Sequence, residues 1–233
     1  MIEWLEWARG PAFVFSFTLM VLGLLRNFLL TGWGITKALI RAGDKNVPWK
    51  DLVITSLAWI LPLKKLRERV WYSLASILFH IGLILVPLLL IEHVALWRRG
   101  LGFGWPTISH TIADGLTLLT IAMIFILLIG RLGNRNARAL TRPQDVVLPL
   151  LISIPFISGF LASHPLMNPF NYHVTMLVHV LSANLIMCLL PFTKLCHCVL
   201  LPLTQIVADV GWHFPPNAGK KVALSLGKEV DSV

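Results

Sequence analysis

Eight histidines stand in a chain that is otherwise mostly apolar: His80, His93, His110, His164, His173, His179, His197 and His213. An imidazole at membrane depth is costly, so each one needs a partner. Placement decides which of them are candidate ligands and which are helix–helix hydrogen-bonding groups. His179 and His197 are 18 residues apart in the apolar stretch HVLSANLIMCLLPFTKLCH. On one unbroken helix that is about five turns, so both rings leave the same face. They would be about 27 Å apart, close to the thickness of a bilayer's hydrocarbon core. One nitrogen ligand near each membrane surface suits two stacked haems. A partner helix must then present two more histidines at matching heights. His80 and His93 in the second apolar segment do so, giving His80 with His197 as an inner pair and His93 with His179 as an outer pair. Iron held by two axial histidines is suited to electron transfer. The angle from His80 to His93 is the misfit: 13 residues place them on different faces. Pro87 lies between them and can re-aim the outer end. His110 is the reserve ligand for the outer iron.

The elements that position these residues follow from hydropathy. The chain has 233 residues, 56% of them hydrophobic, and a mean hydropathy of +0.76. That excludes an ordinary soluble domain. Five spans are expected at about 12–32, 71–97, 108–130, 145–163 and 173–203, forming an all-α integral membrane domain over 1–203. A polar tail, 204–233, follows. No cleavable leader is expected, because Glu3 and Glu6 stand where a basic start belongs. Residues 33–69 form a basic connector, with Lys37, Arg41, Lys45, Lys50, Lys64, Lys65, Arg67 and Arg69. Its apolar piece 52–63 is too short to cross and is expected to lie on the surface. A second basic loop, 131–144, carries Arg131, Arg135, Arg138 and Arg142. Lys and Arg concentrate in the first loop, the third loop and the tail. The positive-inside rule then places the N-terminus outside and the C-terminus inside. The net charge of +9 reads as topology, with the lipid bilayer as partner and no nucleic acid.

Other residues carry weaker signals. Cys196 and Cys198 flank His197, but Cys-His-Cys is neither a zinc spacing nor the covalent haem signature, and with Cys188 they read as small apolar fillers. Lys194 near the inner level is a candidate partner for a haem propionate. Glu92 and Asp114 near the outer surface are candidate proton acceptors. His164 and His173 bracket the outer loop before the fifth span. His213 has no assigned role.

Ser73–Leu85 (SLASILFHIGLIL), with Phe79-His80-Ile81-Gly82 at its centre, and His179–His197, with Pro191-Phe192, resemble the membrane cytochrome b (gamma) subunit of respiratory nitrate reductase. They also resemble its relatives in the transmembrane redox complexes of sulfate reducers: the sulfite-reductase-linked, high-molecular-mass and type II cytochrome c complexes. The likeness covers most of the five-span core. It implies two b haems, with His80 and His197 on the inner one and His179 on the outer one. It also implies menaquinol or quinone chemistry near the outer haem. The nitrate reductase pattern puts the other outer ligand where Leu90 stands here, so His93 is a departure. HVALW (93–97) fits the sulfate-reducer branch better. The expectation is a subunit of a respiratory complex in the cytoplasmic (inner) membrane. It would join the quinone pool, or a periplasmic multihaem cytochrome c, to a cytoplasmic iron–sulfur subunit, alongside other membrane subunits. The rival readings are the cytochrome b of a hydrogenase, formate dehydrogenase or nitrate reductase, and a haem-free anchor or transporter.

Overall fold

The computed structural model describes residues 1–60 and 70–227; Lys64, Lys65, Arg67 and Arg69 of the basic connector lie outside them. The described residues are mostly helical, with no strand among them. In chain order they form α1 (Ile2–Trp7), a wide π-turn (Ala8–Ala12), α2 (Phe13–Arg41), α3 (Trp49–Ile60), α4 (Val70–Leu89) and α5 (Ile91–Leu101). Then come α6 (His110–Gly133), α7 (Arg135–Ala139), α8 (Gln144–Ser163), α9 (Tyr172–Leu189), α10 (His197–Val210) and α11 (Ala218–Ser225).

Five segments are long and apolar enough to cross a bilayer: Ile2–Arg41, Val70–Leu89, His110–Gly133, Gln144–Ser163 and Tyr172–Phe192. The chain is a multi-pass membrane protein. Its large apolar side chains face outward, Trp71 at 83% exposure and Ile129 at 70%, which is tolerable only where the solvent is hydrocarbon. Inside the bundle the buried side chains include hydroxyl-bearing ones, Thr117, Thr120, Ser153 and Ser158, beside apolar ones such as Ile124, Leu128 and Phe156. Thr120 and Ser158 satisfy their hydroxyls on the carbonyls of Leu116 and Ile154, both at 2.6 Å. Small residues let helix backbones approach where apolar burial supplies no driving force. Gly82, two residues after His80, shows this: a Cβ there would collide with Thr120 Oγ1 on α6.

The chain divides into two compact units, Met1–Met20 with Leu63–Thr193, and Val21–Pro62 with Lys194–Val233. In the first, α4, α6, α8 and α9 pack side by side in that order, and α1 with the π-turn lies on α9. The loop from α6 to α8 is fixed by Arg131, which donates to Asp145 Oδ2 at 2.9 Å and Thr141 Oγ1 at 3.1 Å. In the second unit, α3 packs on α10. The tail returns to the 42–47 turn there, with Gly43 N–H donating to Phe214 O at 2.9 Å.

Two expectations about the spans are corrected. The second span is not one helix over 71–97. It stops at Leu89, Leu90 is extended (φ −62°, ψ 132°), and His93 sits on the separate helix α5. Pro87 weakens the last turn by removing a ladder N–H. The break is then held from outside, because Trp105 Nε1–H donates to Leu88 O at 2.7 Å and Ile108 N–H to Leu89 O at 3.0 Å. Those carbonyls are ones a helix end leaves unmatched. The fifth span is likewise not one helix from His179 to His197. It ends at Leu189, passes through two short 3₁₀ turns, and has Thr193 extended (φ −123°, ψ −177°) between them. Pro191 sits at the start of the first turn. The same-face geometry expected for His179 and His197 therefore does not hold, since it needs an unbroken helix.

Candidate functional site

The structure brings one expected pair together. His93, on the first turn of α5, and His179, on the third turn of α9, present rings with centres 6.1 Å apart and planes 9° from parallel. Both belong to the first unit. His179 is oriented by α8. Its Nδ1–H donates to Pro155 O at 2.8 Å, and a carbonyl oxygen has a second lone pair beyond the one used in a helix ladder. The ring reaches that carbonyl because residue 159 is glycine. A Cβ there would stand 2.8 Å from His179 Cε1 and 2.9 Å from Nδ1. Since a carbonyl only accepts, the proton is on Nδ1 and the lone pair of the neutral ring is on Nε2.

His93 is placed by its helix. Val94 is 1% exposed. Trp97 is wedged among Phe17 (ring centres 4.9 Å apart), Phe13 and Trp105. The break at Leu90 aims α5 so that His93 faces α9. His93 Nδ1 is buried and makes no hydrogen bond among the described residues. Backbone groups of Val86 and Pro87 lie near the ring but outside hydrogen-bond geometry.

These residues fit a bis-histidine haem on three counts: the ring spacing, an unsatisfied buried ring nitrogen, and a ring whose far nitrogen is turned to the carbonyl of another helix. An imidazole–metal bond is about 2 Å and the ring centre lies about 1 Å behind the nitrogen, so two imidazoles sharing one iron stand about 6 Å apart, centre to centre. The carbonyl acceptor on the far side is the outer-shell partner that ligating histidines have.

The other expected residues fall as follows. His110, the reserve ligand, is exposed, and its Nε2 pairs with Glu92 Oε1 at 3.3 Å. His164 Nδ1–H donates to Phe160 O at 2.9 Å, its ring stacks on Phe160, and its Nε2 faces Asp114 Oδ2 at 3.5 Å. Both candidate proton acceptors, Glu92 and Asp114, are thus paired with a histidine. His173 has a buried Nδ1 with no hydrogen bond among the described residues. His80 Nδ1–H donates to Ser76 O and His197 Nδ1–H to Lys194 O, both at 2.7 Å. His80 lies in the first unit, His197 and Lys194 in the second. The inner pair therefore rests on the sequence and the resemblance.

Sequence reasoning missed three participants. Gly159 and Pro155 were read only as parts of a span. His213 was given nothing, yet its Nδ1–H donates to Asp44 O at 2.8 Å and its Nε2 lies 3.3 Å from Asp209 Oδ2. The four-residue spacing from Asp209 to His213 on a helical stretch was the available signal.

No family model matches the chain, and no solved structure matches it. A protein of Nitratidesulfovibrio vulgaris (strain Hildenborough), bearing only the name Protein, is 30% identical over 201 residues, which is 84% of this chain and 88% of its own length. The chain belongs to that protein's family. A match of that extent cannot be confined to either compact unit, so the family likeness runs through both.

Proposed function

We propose that this chain is a dihaem cytochrome b subunit of a respiratory complex in the cytoplasmic membrane. It would carry electrons between menaquinol, or a periplasmic multihaem cytochrome c, and a cytoplasmic iron–sulfur subunit. The observation that supports this best is the near-parallel pair His93 and His179, spaced as two axial ligands of one iron are. A relative in a sulfate reducer accords with the branch that HVALW favours. Bound b haems supply one-electron oxidation and reduction in the low-spin state that two nitrogen ligands favour.

The chain's own residues have separate tasks in this reading. His93 and His179 hold the outer iron, and Pro155 O fixes the His179 tautomer. His80 and His197 hold the inner iron, and Lys194 pairs with a propionate. The pairs Glu92–His110 and Asp114–His164 take up protons at the outer end, where a quinol gives up two protons with its two electrons. The N-terminus lies outside and the C-terminus inside. Lys37, Arg41, Lys45 and Lys50 on the inner side attract an acidic iron–sulfur partner.

The test is haem content and spectrum of the protein purified from membranes. The expected result is a b-type alpha band on dithionite reduction and two haems per chain. His93→Ala and His179→Ala each remove one haem, whereas His110→Ala removes none. His197→Ala removes the other haem and leaves the outer one. Absence of the alpha band sinks the reading, and so does equal loss of both haems in His197→Ala.

A further inference from the structure

The tail after α10 is tied to the end of a membrane-spanning segment. Ile2–Arg41 is long and apolar enough to cross a bilayer, and the turn 42–47 follows it directly. Two hydrogen bonds fasten the tail to that turn: His213 Nδ1–H to Asp44 O at 2.8 Å, and Gly43 N–H to Phe214 O at 2.9 Å. The turn and the tail belong to the same compact unit. A chain fastened this close to the end of a span is held at the level of the lipid headgroups. His213 turns inward, to Asp44 and Asp209. Its neighbours Trp212 and Phe214 stand outward, 78% and 61% exposed, with ring centres 6.5 Å apart. Water is a poor solvent for that pair, whereas the headgroup layer is where such rings settle.

The next helix supplies charge. Lys220 and Lys221 are the third and fourth residues of α11 (Ala218–Ser225), which has no acidic residue in its first turn and no side-chain cap. The dipole is positive at that end, so two cations there call for an anion. Neither lysine has an ion pair among the described residues. No Asp or Glu stands between Val210 and Gly227 in the sequence. Val222 and Leu226, four residues apart and so on one side of the helix, are exposed.

We propose that residues 212–226 are a lipid anchor: Trp212 and Phe214 enter the headgroup layer, and Lys220 and Lys221 bind the phosphates of anionic lipids. The proposal is independent of the dihaem reading and stands or falls without a haem. A phosphate free in solution leaves the aromatic pair in water, so the phosphate belongs to a lipid. The clasp at His213 then has a use, which is to hold the two rings at the depth where the bilayer accepts them.

The test is hydrogen exchange, read by mass spectrometry, of the purified full chain in nanodiscs. One set is phosphatidylcholine alone and the other contains phosphatidylglycerol as well. The expected result is that amides 219–226 exchange about tenfold more slowly in the anionic discs, the scale expected for two lysines at a charged surface. Joint Lys220→Gln and Lys221→Gln substitution removes that difference. Joint Trp212→Ser and Phe214→Ser substitution speeds exchange of the same amides in both lipids. Equal exchange of the wild type in the two lipids overturns the proposal. So does protection that follows a co-purified protein subunit and not lipid charge, which assigns the lysines to a protein partner.

Discussion

Two histidines in two regions are held by the same first contact and differ in the second. His179 in the first unit gives its Nδ1 proton to Pro155 O. His213 in the second gives its Nδ1 proton to Asp44 O. On its other side His213 meets the Asp209 carboxylate at 3.3 Å, whereas His179 meets another imidazole, His93. The carbonyl of Asp44, with Asp209 as the next contributor, raises the His213 pKa above its ordinary value. A carbonyl alone settles where the proton of a neutral ring sits. A carbonyl plus a carboxylate favours the cation. The second neighbour therefore separates a ring available to a metal from one that acts as a charged clasp.

The comparison can be broken most forcefully at residue 159. Gly159→Ala puts a methyl within 3 Å of the His179 ring. The ring must leave the Pro155 carbonyl, and the expected outcome is near-complete loss of one haem with the other retained, read by pyridine haemochrome. Retention of both haems would show that the orientation of His179 does not depend on α8. A smaller effect is expected in the second unit. Asp209→Asn removes the carboxylate and should lower the His213 pKa toward its ordinary value, measured by the pH dependence of its ring carbon–proton NMR signal. Haem content should be unchanged.

The smallest effect is the pH response of the clasp itself. The folded pKa of His213 is raised, so the folded state holds its proton to higher pH than the unfolded chain does. The stabilisation is complete below about pH 6.5, the unfolded value, and fades as pH rises through the higher folded value. Backbone amides 210–214 should exchange hydrogen a few-fold faster above that range than below it, after correction for intrinsic rates. His213→Ala should exchange fast at both, and an unchanged pH profile in that variant would remove His213 as the cause.

Much of this was legible from the residues. Five spans follow from apolar runs set by bilayer thickness, and the structure has five such segments. The spacing favoured His93 over His110 as a candidate ligand, and the structure places the two apart: His93 faces His179, while His110 faces Glu92 at the surface. The helix break at Leu90 was not readable in detail. Pro87 announces a disturbance, but its position depends on Trp105 and Ile108, well over ten residues later. The error over His179 and His197 had its cause in plain view. Pro191 stands between them, and an angle computed across a proline assumes a helix that the proline can end. Gly159 was invisible because its use is to leave room for a ring 20 residues away in sequence. Periodicity reports only contacts within its own window.

Where the π-turn lies on α9, Asn184 Nδ2–H donates to Ala8 O at 2.9 Å, and this contact has a practical corollary. Asn184 is 5% exposed, and its Oδ1 already has no hydrogen bond among the described residues. Trimming the first dozen residues would strip its amide of an acceptor as well, at about 1–3 kcal/mol for a donor left unmatched away from water. Purification handles and fluorescent fusions therefore belong at the carboxyl end, after Val233. A shortened amino end is expected to yield material that inserts yet melts early.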